Sequence, residues 1–183
     1  VENKIADLTL FRKYESFEGQ SIVGSLSISS GEVNSYWDDE SGKFLVSQIG
    51  GGYIQPLKSI SHNTELKIEG YGQAGSVGTS NIRLLGLGSV SFLRGYEAST
   101  YVGTSGYIGS VEIAHAFMFS RSMLRRLTVF AFTDFGRVFN PSSRENSTNM
   151  DNDASLQSVG VGGSSYFSNN MQVKGYLGAP VLK

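Results

Sequence analysis

Apolar and polar residues alternate with a period of two along much of the chain, and helical spacing is almost absent. The clearest run puts Leu66, Ile68, Gly70, Gly72 and Ala74 on one side and Glu65, Lys67, Glu69, Tyr71 and Gln73 on the other. A second sets Met171, Val173, Leu177 and Ala179 against Gln172, Lys174 and Tyr176. A third sets Ile22, Gly24, Leu26 and Ile28 against Ser21, Ser25, Ser27 and Ser29. Successive side chains of a strand point to opposite faces, so each run is a ribbon with one apolar and one polar side. The pattern predicts eight strands, near 3–14, 20–30, 43–57, 64–75, 105–119, 125–136, 155–167 and 171–182.

The connections alternate in length. Short links fall at 15–19, 58–63, 120–124 and 168–170; long ones fall at 31–42, 76–104 and 137–154. Outer-membrane barrels join their strands by short turns at one rim and longer loops at the other. Strand length agrees, because soluble strands average about 5–6 residues while a tilted membrane strand needs about 9–11. The expected fold class is therefore all-β: an antiparallel transmembrane β-barrel, here a partial barrel of about eight strands. Lipid would touch the aliphatic rows and water the polar ones.

Composition narrows the function. Hydrophobic residues make up 39% of the chain, with 23 Gly, eleven Phe and nine Tyr among 183 residues. That suits a one-sided sheet better than a packed α/β enzyme. The formal net charge is -1, and no Lys/Arg run is longer than the pair Arg125-Arg126, so no nucleic-acid footprint is present. The absence of Cys removes disulfides, thiolate metal sites and thiol nucleophiles. The most apolar stretch, 127–132, is too short for a membrane helix. His62 and His115 are isolated, which argues against a metal site, and Gly86-x-Gly88 precedes no helix, which argues against a phosphate loop. No serine has a hydrolase context. The expectation is a protein without catalytic residues, metal or cofactor. Tyr36, Trp37, Phe119, Tyr166 and Phe167 lie near strand ends, where aromatic girdles form.

Two motifs carry a resemblance. Leu93-Arg94-Gly95-Tyr96, within the longest link, resembles the (V/L)RGY loop of the TpsB transporters of two-partner secretion, which share a superfamily with the BamA assembly insertases. The Gly103–Tyr107 stretch and Glu112 are similar to the segment just after that loop in the family, although Thr104 stands where Asp is common. Phe132-Thr-Asp134-Phe-Gly136 resembles the family's F-x-D-x-G strand motif. The tail from Asn170 to Leu182 is similar to the family's penultimate strand.

The resemblance implies a C-terminal barrel fragment, the eighth to fifteenth strands of sixteen. It implies that POTRA domains, the first barrel half and the last strand belong to the parent protein, since the chain opens without a targeting segment. It implies a loop, about 76–104, that folds into the barrel, with Arg94 reaching Asp134 and Gly95, Tyr96, Phe132 and Gly136 around the contact. Gly95 suits a sharp tip, and Tyr96 and Phe132 are expected beside the ion pair. Glu112 reads as a wall carboxylate with a cross-strand partner. Candidate lumen-lining residues are Lys67, Glu69, Gln73, Glu112, Gln172 and Lys174. The implied function is translocation of a large haemolysin- or adhesin-type exoprotein through the bacterial outer membrane. The partners would be that substrate in extended form and outer-membrane lipid, with a complete barrel that is monomeric. An assembly factor of the BamA type, a porin-like solute channel and a soluble carbohydrate-binding β-sandwich are the alternatives.

Overall fold

Residues 4–33, 42–76, 84–88, 92–120, 123–139, 153–168 and 170–182 are described by a computed structural model of the chain. Its strands in chain order are β1 (Lys4–Glu15), β2 (Ser21–Val33), β3 (Gly42–Pro56), β4 (Thr64–Gly75), β5 (Leu85–Leu87), β6 (Tyr101–Gly103), β7 (Ser105–Met118), β8 (Leu124–Phe139), β9 (Ala154–Phe167) and β10 (Gln172–Leu182). The eight long strands form one antiparallel sheet in the order β1-β2-β3-β4-β7-β8-β9-β10. Every neighbour in that order is next in sequence once the small hairpin of β5 and β6 is set aside, so the whole sheet is a meander. Its outermost strands, β1 and β10, each pair on one side only among the described residues.

The alternation read from sequence becomes two unlike faces. The register sets Leu66 opposite Ile113 and Lys67 opposite Glu112, and carries each row unbroken onto the neighbouring strand. One face, here the open face, bears aliphatic side chains that nothing covers: Leu8, Leu26, Ile49, Val161 and Leu177 are between 43 and 78% exposed. The other, the loop face, is richer in polar residues but also carries Ile5, Phe11, Phe44 and Val46, and residues 84–88 and 92–104 lie over part of it. There Leu85, Leu87 and Leu93 from the covering segment pack on Val138 of β8 and Leu156 of β9. The largest buried cluster is thus a patch between a loop and one side of a sheet; smaller ones are Phe44 with Val46, and Ala114 with Phe130 and Phe132.

Two details differ from the sequence reading. The 76–104 link contains the β5–β6 hairpin, whose three-residue strands are too short to display alternation. β8 continues to Phe139, three residues past the expected end, because Val138 is held under the loop leucines. Of the candidate girdle, Tyr36 and Trp37 lie outside the described residues. Tyr166 stands opposite Gln172 and Arg126 and so belongs to the polar row, contrary to a lipid-facing girdle position; its hydroxyl donates to Asn170 Oδ1.

Candidate functional site

β8 supplies the floor of the site through alternate residues. Phe130, Phe132, Asp134, Gly136 and Val138 share the loop face and are all buried. Each does something different beneath the loop. Phe132 offers its ring to the Arg94 guanidinium, whose carbon sits 3.5 Å from the ring centroid. Asp134 accepts the charge. Gly136 leaves space: a Cβ there would come within 3.0 Å of Leu87 and Leu93 side-chain atoms. The spacing F-x-D-x-G is thus one face of a strand shaped to receive a loop.

The tip above it is sharply bent. Leu93 holds φ 57°, and Gly95 holds φ 104°, a left-handed region that favours glycine. The Tyr96 amide donates to the Leu93 carbonyl at 3.2 Å and closes the turn. This bend directs both the backbone and the side chain of Arg94 at one carboxylate.

Arg94 is 4% exposed and Asp134 is fully buried. The Arg94 backbone amide and Nε both donate to Asp134 Oδ2 at 2.9 Å. Nη2 donates to Asp134 Oδ1, also at 2.9 Å. Ser110 Oγ donates to the same Oδ1 at 2.7 Å and accepts from Nη2 at 2.9 Å. A carboxylate has about four acceptor positions, and four donors meet this one. Nη1 donates to Glu112 Oε2 at 2.7 Å. One cation therefore faces two carboxylates, with the Lys67–Glu69 pair at 2.9 Å on the adjoining strand. Burial of charges this complete is sustained only when each is paired and hydrogen-bonded, as these are.

Glu112 takes its charge partner from the loop, which differs from the cross-strand partner expected of a wall carboxylate. Tyr96 packs against the leucine cluster, and its hydroxyl donates to the Gln157 carbonyl of β9 at 2.8 Å. Ser110, Gln157, Leu85 and Leu87 carry no signal in the sequence as site residues; serines and leucines are too common to draw notice without the register, and Leu93 stands out only as the first residue of the loop motif. Gly178 is likewise absent from the sequence reading, although a glycine within an alternating strand is a usual mark of close backbone approach.

The remaining polar candidates share the loop face. Gln73 accepts from Gln48 at 3.0 Å and donates to the Thr104 carbonyl at 3.0 Å, at the point where the loop rejoins the sheet. Lys174 lies 5.2 Å from the Phe130 ring centroid, and Gln172 stands two residues before it on β10. His62 lies exposed in the β3–β4 turn. His115 Nδ1 lies 2.8 Å from Thr64 Oγ1, within the aliphatic rows of the open face. No group of three or more metal-ligating side chains occurs among the described residues.

Residues 11–164 match the model of a protein family described as haemolysin secretion/activation protein ShlB/FhaC/HecB. The chain belongs to this family. Its members are outer-membrane transporters of Gram-negative bacteria that work in two-partner secretion, each with a secreted exoprotein as partner. The match covers β2 to β8 entirely, most of β9 and the end of β1, and so contains both the Arg94 loop and the Asp134 strand. No curated protein matches the chain.

Proposed function

We propose that the sheet is part of the wall of a pore through which an extended haemolysin- or adhesin-type exoprotein leaves the cell. The contrast between the two faces carries this reading. Exposed aliphatic rows on the open face suit hydrocarbon, and the polar rows on the loop face suit a water-filled path. Twelve residues of β4 extend about 40 Å at roughly 3.3 Å each, and a tilt near 45° leaves about 28 Å across the membrane. The apolar band of such barrels is roughly 25 Å tall.

In this reading the chain contributes one C-terminal stretch of a single larger barrel that works as a monomer. Lys67, Glu69, Glu112, Gln172 and Lys174 line the lumen beside the loop, and Gln73 holds the loop's return. Passage of a polypeptide requires no bond to be made or broken, so the site needs no catalytic group. Arg94 on Asp134 and Glu112 pins the loop in the arrangement that permits transport.

The test is secretion by the full-length parent carrying Arg94→Ala or Asp134→Ala. Secretion is expected to fall by roughly tenfold or more, since breaking a buried ion pair from one side costs about 3–5 kcal/mol. Barrel insertion, read as a heat-modifiable band in outer-membrane fractions, is expected to persist. Normal secretion by both variants would remove the anchor from the mechanism.

A further inference from the structure

The ion pair fixes the loop to β7 and β8, but the tip also reaches further along the sheet. At Gly178 of β10 the loop and wall backbones meet without an intervening side chain. A Cβ on Gly178 would lie 2.6 Å from the Arg94 carbonyl oxygen, and one on Gly95 would lie 2.9 Å from the Gly178 carbonyl carbon. Real Cβ atoms do not come that close to backbone, so the contact exists only because both residues are glycine. The neighbourhood is cleared in the same way. Gly160 stands opposite Gly178 and gives room to the Phe132 ring, and Tyr176 meets that ring edge-on with centroids 6.1 Å apart.

A second contact lies beside it. The β9–β10 register slips between Pro180 and Leu182, and proline brings no N–H to the ladder. Gln157 stands at this irregularity, and its carbonyl is the one that accepts from Tyr96.

We infer that Gly178 is the seat of the loop tip, a positioning residue through which Arg94-Gly95-Tyr96 ties four consecutive strands together. Arg94 engages Ser110 and Glu112 of β7 and Asp134 of β8; Tyr96 engages Gln157 of β9; Gly95 rests on Gly178 of β10. The tripeptide is then a strut across this section of wall, and the docked state of the loop depends on a residue of β10 that carries no side chain. The inference rests on the reading of the loop face as the pore wall, but its readout is separate from secretion.

The chain contains no cysteine, so a single reporter can be placed cleanly. Leu156→Cys puts a thiol on β9 beneath the loop leucines, where Leu156 is 3% exposed. In the full-length parent, otherwise free of cysteine, a bulky water-soluble maleimide should label it slowly. Adding Gly178→Val is expected to speed labelling by about tenfold, the scale of displacement that overpacking a tight contact produces. Gly178→Ala is expected to act in the same direction, since the clash begins at Cβ. Gly175→Val is the control on the same strand, because a Cβ there meets nothing within 4 Å.

Labelling as slow in both Gly178 variants as in the parent overturns the proposal, and so does equal acceleration by Gly175→Val. Should neither Gly178 variant insert, Tyr96→Phe decides, since it leaves the wall intact and removes only the bond to β9; unchanged labelling then overturns the proposal. Fast labelling with normal secretion would keep the seat and count against the proposed role of the loop in transport.

Discussion

At the scale of single residues, the site uses properties of arginine that lysine lacks. The guanidinium presents Nε and Nη2 side by side to two carboxylate oxygens, sends Nη1 to Glu112 and sits over the Phe132 ring. A lysine ammonium is a compact charge that cannot do these at once. Arg94→Lys is therefore expected to release the loop nearly as fully as Arg94→Ala, read by labelling of Leu156→Cys; docking close to that of the parent would show that charge alone suffices. The two carboxylates should also differ. Asp134 is fully buried and accepts from the loop backbone as well, whereas the Glu112 side chain is 16% exposed. Secretion should consequently fall further with Asp134→Asn than with Glu112→Gln, and the reverse order would move the main anchor to β7.

At the scale of elements, β8 shows how a strand reads when apolar side chains stand on both its faces, one of them beneath the loop. Its 127–132 stretch is the most apolar in the chain and alternates poorly, because Phe130 and Phe132 lie under the loop side while Val129 and Ala131 belong to the open face. β4 and β10 alternate more cleanly, with polar side chains along the loop face. That asymmetry predicts unequal responses to charge. Leu177→Arg, in the middle of an open-face row, should destabilise the barrel by about 2–4 kcal/mol. Thr9→Arg, on the loop face of β1, should change stability little. Unfolding of the parent in lipid vesicles measures both, and equal effects would argue against hydrocarbon on the open face.

At the scale of the whole molecule, the sheet has a lining but, among the described residues, no second layer. Its largest buried apolar cluster lies under one loop, and much aliphatic surface on the open face is exposed. Two edge strands and an uncovered apolar face make a poor free-standing domain. The isolated 183-residue chain is expected to aggregate in water, and the parent to need detergent for extraction. A parent that stayed monomeric in aqueous buffer would contradict a membrane-embedded wall.

Local sequence settled the eight long strands and their two characters, but not the short β5 and β6. Period two places every side chain on a definite face, and turn residues bound each ribbon within a few positions of its observed ends. It settled the motif residues as well, since Arg94, Asp134, Phe132 and Gly136 are conspicuous at their spacing. It could not show what they touch, because a contact between residues so far apart in the chain depends on register and on the path of a loop. Only the folded chain brings Glu112 to Arg94 in place of a neighbouring strand, turns Tyr96 toward β9 and sets Gly178 against the tip. Those choices come from competition for space and for hydrogen bonds on one crowded patch of wall, where a glycine is defined by what lies across from it.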